Sequence, residues 1–265
     1  MAVHTLRRLT AEQVAQYDRD GWLVVEDVYT AAEIARLGER ADLIASGRAP
    51  HIPPERIQLE KVVRDGAVTP ADQTMAVRKL YWLAGYDEVL LAHARHDGVV
   101  DIIADLLGTD DIKLYADQLF MKPPLIGAAQ PWHQDSGSFK DHFPMDLVTA
   151  WAAIDHATTE NGCLHFVPGS HKWGLLDRAN LESFAGQIGT STRYPAVGAP
   201  LRPGSVSFHH SLVLHASAPN TSGRRRRGYA VHYMRATTRI DPTVTDAPKV
   251  PQAISIRGRS FAGRV

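Results

Sequence analysis

A mainly β fold with flanking helices, arranged as a sandwich or barrel, is the class that the sequence predicts. Three observations carry this expectation. Short runs of β-forming residues recur from residue 112 onward; turn pairs such as Pro168-Gly169 and Pro203-Gly204 separate them; and helical periodicity is concentrated ahead of them. Neither a Gly-x-Gly-x-x-Gly fingerprint nor a phosphate-binding loop is present, so the dinucleotide and P-loop classes drop out. A chain of 265 residues, 44% hydrophobic and 22% charged, has room for one such domain and an ordinary globular composition.

The elements follow in order. Thr10 with Gln13, and Thr30 with Glu33, have capping-box spacing. Apolar residues follow each cap at helical intervals: Val14 and Tyr17, then Ile34, Leu37 and Ala41. Gly21 to Val25, between these helices, is a short strand. Residues 46–75 carry Pro53 and Pro54 and are expected to be irregular. Val99 to Leu107 is a helix that Gly108 closes. Strands are expected over Ile112 to Met121, Leu147 to Ile154, Leu164 to Val167, Ser205 to Leu214 and Arg226 to Met234. No internal repeat, low-complexity tract or domain boundary is visible. The chain reads as a single domain (1–265): a helical part over about 1–110, a β core over about 111–236, and a tail, 237–265.

Charge and cysteine content narrow the function. Acidic and basic residues balance at 29 each, which gives no electrostatic case for nucleic acid or an acidic membrane surface. The single cysteine, Cys163, cannot form an internal disulfide or a thiolate metal cluster, so any metal must be held by nitrogen and oxygen. No apolar run reaches the ~18 residues of a membrane span, the opening MAVHTLRRLT has no signal core, and FAGRV is not a peroxisomal signal. A cytoplasmic protein, monomer or homodimer, is expected.

Trp132-His133-Gln134-Asp135 is the main chemical signal. On an extended segment residues i and i+2 share a face, so His133 and Asp135 can reach one metal. Such a pair is weak alone in a chain with 13 histidines. A third ligand is available 80 positions on at His215, at the end of Leu212-Val213-Leu214; His209 and His210 are alternatives, and His209 shares the strand parity of His215. Two imidazoles and a carboxylate make the facial triad of non-haem iron(II) oxygenases, which leaves one side of the metal open for O2 and a bidentate cosubstrate. The carboxylate argues against the related halogenases, in which a small residue replaces it.

Arg224 to Arg227 form a run of four arginines that opens a strand. Arg224 and Arg226 fall on one face and Arg225 and Arg227 on the other, so one can point inward while its neighbours stay in water. The planar fork of a buried arginine matches a carboxylate in two charge-assisted hydrogen bonds, worth roughly 1.5–3 kcal/mol each. The distal carboxylate of 2-oxoglutarate is a natural partner. Arg226 lies eleven residues beyond His215, and a hairpin of that length would bring both to one cavity.

At this point the sequence resembles the phytanoyl-CoA dioxygenase family of iron(II)/2-oxoglutarate-dependent oxygenases. The resemblance rests on WHQD at 132–135, AWAAIDHATTENGCLHFVPGSHK at 150–172, PGSVSFHHSLVLHASAPN at 203–220, RRGYAVHY at 226–233 and, near the N-terminus, DGWLVVEDVY. It implies a double-stranded β-helix, a cupin-like jelly roll. It implies His133, Asp135 and His215 as the iron(II) ligands and Arg226 as the 2-oxoglutarate arginine. Gln130 resembles a position that contacts the cosubstrate in some members, and Trp151 an aromatic position lining that site in others. The NGCL…PGSH stretch is expected to be architectural, with Cys163 small, buried and inert. Ser136-Gly137-Ser138-Phe139 departs from the tryptophan–histidine pair of ectoine hydroxylases. The implied activity is O2-dependent hydroxylation, or another oxidation, of an unactivated C–H in a small molecule, in natural-product biosynthesis. Substrate-shaping residues are expected in 46–85, 136–145, 173–200 and the tail after 236. The competing readings are a catalytically silent binding or regulatory protein on this fold, and a facial-triad enzyme that does not use 2-oxoglutarate.

Overall fold

A computed structural model describes residues 5–190, 192–244 and 253–264. The two threonine caps start helices as the sequence requires. α1 (Ala11–Asp20) and α2 (Ala31–Ala45) each open with a complete capping box, Thr10 with Gln13 and Thr30 with Glu33. α3 (Lys61–Arg64) is one turn, and α4 (Glu88–Ala94) begins where the Asp87 carboxylate accepts the Val89 and Leu90 N–H groups. α5 (Asp97–Leu107) ends on Gly108 in the left-handed conformation. α6 (Asp135–Ser138) and α7 (Arg178–Ala185) interrupt the β region.

Fourteen strands are present among the described residues: β1 (Trp22–Val25), β2 (Ile57–Leu59), β3 (Val77–Tyr81), β4 (Ile112–Phe120), β5 (Gln130–His133), β6 (His142–Phe143), β7 (Val148–Ala153), β8 (Leu164–Phe166), β9 (Val197–Ala199), β10 (Val206–His210), β11 (His215–Ser217), β12 (Gly228–Arg235), β13 (Arg239–Ile240) and β14 (Ile254–Arg257). All pairings are antiparallel. The major sheet runs β1-β10-β7-β12-β4-β3-β2, with β14 on β4; the minor sheet runs β5-β11-β8-β9; and β13 pairs with β6. Two facing antiparallel sheets, one large and one small, make a jelly roll with helices on its outer side.

Strand alternation assigns the two faces of the major sheet. Val148, Ala150, Ala152, Val206, Phe208, Tyr229, Val231 and Tyr233 turn outward and pack on α2, α4 and α5 through Leu37, Ala41, Ile44, Leu90, Val99 and Ile103. Each large buried side chain of this kind contributes roughly 1.5–3 kcal/mol. Thr149, Trp151, His209, Ala230 and His232 turn inward and line the space facing the minor sheet. The inner face of the sheet therefore carries the pocket together with smaller apolar clusters, such as Trp151, Ala153 and Ala230, and the main apolar core sits on the outer face.

Four expectations need correction. Ser205 to Leu214 is not one strand: β10 belongs to the major sheet and β11 to the minor one, with residues 211–214 crossing between them. His215 and Arg226 are consequently not joined by a hairpin, although both line one cavity. Residues 46–75 are not wholly irregular, since they contain β2 and α3. The arginine run precedes β12, and two of its members are buried: Arg226 at 2% and Arg227 at 8% exposure. Arg227 faces the helical side, where Asp155 accepts its Nε at 2.9 Å and its Nη2 at 2.8 Å, and Gly38 O accepts Nη1 at 2.9 Å. The expected tail, 237–265, falls partly outside the described residues (245–252 and 265).

Arg227 thus joins α2 to the start of β12. Arg227→Ala leaves the partly buried Asp155 carboxylate without its guanidinium, whereas Asp42 keeps Arg225. It is expected to cost roughly 3 kcal/mol, the low end for a broken buried pair because Asp155 keeps some solvent. A urea midpoint unchanged from wild type, with unchanged slope, would show that this contact does not hold the helix layer to the sheet.

Candidate active site

β5 and β11 are neighbours in the minor sheet, and their register sets His133 opposite His215. The two imidazole centroids are 4.1 Å apart. Asp135 is not on the extended segment that the spacing suggested: the chain turns at Gln134, and Asp135 is the first residue of α6. That turn still carries its carboxylate to the histidines. Asp135 Oδ1 is 3.8 Å from His133 Nε2 and 3.6 Å from His215 Nε2. One ligand atom from each of the three residues lies within 4.8 Å of the others. Gln134 fixes the turn: its amide donates to Gly174 O and Leu212 O, and its oxygen accepts Leu176 N–H.

Hydrogen bonding sets the ligand atoms. His133 Nδ1 lies 2.8 Å from Pro131 O, and His215 Nδ1 lies 3.0 Å from Val213 O. A carbonyl only accepts, so each Nδ1 carries the proton and each Nε2 presents its lone pair to the shared space. On the carboxylate, Oδ2 is occupied from behind. Thr149 Oγ1 donates to it at 2.8 Å and also lies 2.8 Å from His232 Nδ1. One hydroxyl proton cannot serve both, so His232 Nδ1–H donates to Thr149. His209 Nε2 stands 3.3 Å from the same oxygen. Oδ2 is engaged by the major sheet, and Oδ1 is left facing the two histidines.

The charge states suit metal binding. Burial pulls both His133 and His215 down to about 4, so their imidazoles are neutral at neutral pH. Burial alone would raise the Asp135 carboxyl, but His215, His232 and His209 outweigh it and hold it well below the usual carboxylate range. Two neutral nitrogens and an anionic oxygen on one side of a cavity fit a hard-to-borderline divalent ion with open coordination positions.

The cavity, of about 370 Å³, continues from these residues to Arg226. Arg226 Nη2 donates to Gly162 O at 2.8 Å, its Nε is buried without a partner, and its guanidinium carbon lies 5.1 Å over the Trp151 ring. Trp151 fits there because residue 228 is glycine; a Cβ at 228 would run into the indole. Gln130 lines the cavity and its Oε1 accepts Arg78 Nη2 at 3.0 Å. All six residues singled out from the sequence therefore border one space. Lining residues also come from the expected segments 46–85 (Arg78, Lys79, Tyr81, Trp82) and 136–145 (Ser138, Phe139). Among the described residues none comes from 173–200 or the tail; there Leu176, Phe184 and Tyr194 form a separate cluster with Trp132. Sequence reasoning missed Thr149, His232, Ser217 and Lys122. Strand parity with Trp151 could have found Thr149, but nothing in the sequence marks Lys122 as part of the pocket.

Fold and donor set define the non-haem metal oxygenase class. Residues 17–228 match phytanoyl-CoA dioxygenase (PhyH), and the chain belongs to that family. It is an iron(II)- and 2-oxoglutarate-dependent dioxygenase. A probable α-ketoglutarate-dependent hypophosphite dioxygenase of Stutzerimonas stutzeri is 30% identical over 85% of this chain and 79% of that protein. A probable phytanoyl-CoA dioxygenase of Caenorhabditis elegans is 29% identical over 85% of this chain and 75% of that one. The structure of EctD from S. alaskensis with bound Fe superposes with a TM-score of 0.75 at 25% identity, covering 99% of this chain and 90% of that one.

Thr149→Val, nearly isosteric, removes the donor behind Asp135. It is expected to weaken Mn(II) or Co(II) binding roughly tenfold in calorimetric titration, with Thr149→Ser close to wild type. Equal affinity in Thr149→Val would remove the hydroxyl from the site. Because both imidazoles are already neutral at pH 7, affinity should hold on acidification and fall only as pH approaches about 4, where protonation competes with the metal.

Proposed function

We propose that His133, Asp135 and His215 hold iron(II) and that Arg226 binds the distal carboxylate of 2-oxoglutarate, for oxidation of a C–H bond in a small-molecule substrate. One observation carries the reading. A three-donor metal set and a buried arginine with no carboxylate partner among the described residues share a single cavity. A buried guanidinium without an anion is costly, and a dicarboxylate reaching from the metal donors to Arg226 removes that cost. The same feature weighs against a facial-triad enzyme that does without the cosubstrate.

When bound, iron(II) supplies the redox chemistry that couples O2 and 2-oxoglutarate to C–H oxidation. The chain's own residues do the positioning. Thr149 and His209 engage Oδ2 of Asp135, so the carboxylate offers Oδ1. Trp151 gives the Arg226 guanidinium a flat apolar floor, and Gln130 borders the cavity beside Arg78. Tyr81, Trp82 and Phe139 form an apolar wall for the substrate. Hydroxylation in a biosynthetic pathway is the outcome we favour. The two relatives above are named for different compounds, phytanoyl-CoA and hypophosphite, and neither name fixes the substrate of this chain.

Anaerobic addition of iron(II) and 2-oxoglutarate is expected to give the visible metal-to-ligand charge-transfer band. Absence of the band from folded, iron-loaded protein would overturn the cosubstrate assignment. Asp135→Ala should abolish iron retention. Arg226→Ala should keep iron and weaken 2-oxoglutarate roughly 10- to 100-fold, the size of a lost charge-assisted hydrogen bond. Succinate release across a panel of metabolites would then identify the substrate.

A further inference from the structure

A second basic side chain lines the cavity and has no role in the account above. Lys122 follows β4, is 6% exposed, and lines the same space as Arg226. Its ammonium donates to Ser217 Oγ at 2.8 Å and to the Ala218 carbonyl. Its own carbonyl accepts Arg226 N–H at 3.1 Å and Asn220 Nδ2 at 3.1 Å. These contacts hold the Lys122 backbone at φ 26°, a left-handed conformation unfavourable for a side-chain-bearing residue and more so ahead of Pro123. Gly162 seats both basic side chains: its carbonyl accepts Arg226 Nη2, and a Cβ there would come within 2.7 Å of Lys122 Nζ. Strain that neighbouring groups enforce at a ligand cavity points to function.

The charge around Lys122 is lopsided. Arg226 and Arg78 repel its ammonium; Glu60 and Cys163 favour it; and no carboxylate pairs with it among the described residues. Burial first, then the two arginines, pulls it down to about 6, so the amine is largely uncharged at neutral pH. Its hydrogen bond to Ser217 has a second effect. The Ser217 oxygen accepts from Lys122, so the hydroxyl proton is free to point into the cavity, where an anion beside Arg226 would accept it.

We propose that Lys122 is a positioning residue for 2-oxoglutarate: it orients the Ser217 hydroxyl toward the distal carboxylate and takes up a proton as that carboxylate binds. The proposal rests on the reading of Arg226 given above. An arriving carboxylate favours the ammonium form, so Lys122 is raised in the complex relative to the free protein. A group raised on binding strengthens binding fully below its free value, and the gain is lost as pH rises through the bound value. Cosubstrate affinity should therefore be flat below about pH 6 and weaken above it.

The test is calorimetric titration of 2-oxoglutarate into Mn(II)-loaded protein at pH 7.5, in several buffers of different ionisation enthalpy. We expect uptake of about one proton per cosubstrate, and a Kd that rises toward tenfold per pH unit above neutrality. Lys122→Met should bind about tenfold more weakly at this pH and take up no proton. Wild-type binding without proton uptake overturns the proposal and leaves the Arg226 assignment standing. Uptake that persists in Lys122→Met also overturns it. No binding to the metal-loaded wild type overturns the cosubstrate reading, and this proposal with it. The wild-type proton count needs no variant, so it decides the matter even where Lys122→Met does not fold.

Discussion

β11 lies against β5 with His215 directly opposite His133, and the rest of the pocket is organised around that register. Residues opposed in an antiparallel pair bring their Cβ atoms to roughly 4.5–5.5 Å, close enough for two imidazoles to address one ion. A slip of one residue would turn one of them to the other face. The register is held on both sides, because His215 also pairs with Phe166 of β8 in the same sheet. Asp135 needs no strand of its own. It is delivered by the turn that ends β5, and the Gln134 side chain fixes that turn by three hydrogen bonds.

The two sheets divide the chemistry. The minor sheet contributes the imidazoles. The major sheet supplies what surrounds the carboxylate: Thr149 on β7, His209 on β10 and His232 on β12, all on its inner face. Farther along the same face, Trp151 and Gly228 make room for Arg226. Negative charge gathers at Asp135 and positive charge at Arg226, with the cavity between them. That polarity suits a ligand with one end for a metal and the other for a guanidinium.

The fold class was legible because β runs, turn pairs and capped helices obey local rules. Both capping boxes formed at the residues that encode them. What stayed hidden was which sheet each strand joins. Ser205 to Leu214 reads as one apolar run, yet the chain leaves the major sheet after His210, and only tertiary pairing reveals this. The site residues were legible to different depths. His133 and Asp135 show as a motif, and His215 and Arg226 become clear through the family resemblance. Gln130 and Trp151 share their cavity. Thr149 shows only through its strand parity with Trp151, and Lys122 and Ser217 carry no local signal, because their roles arise from contacts with residues 95 to 98 positions away. The arginine run misled in one respect: parity predicted one buried member, while Arg227 is buried as well, against α2 and Asp155.

The crossing at residues 211–214 has a mechanical consequence. It places His215 beside His133 in one layer and the groups that brace Asp135 in the other, so a bound ion would tie β5, β11 and the turn after β5 together while the major sheet holds the carboxylate from behind. Ligands that bind only the folded state stabilise it by mass action. Here that stabilisation would fall on the pairing of β5 with β11 and on the turn that carries Asp135, and it would reach the major sheet through the Thr149 hydroxyl.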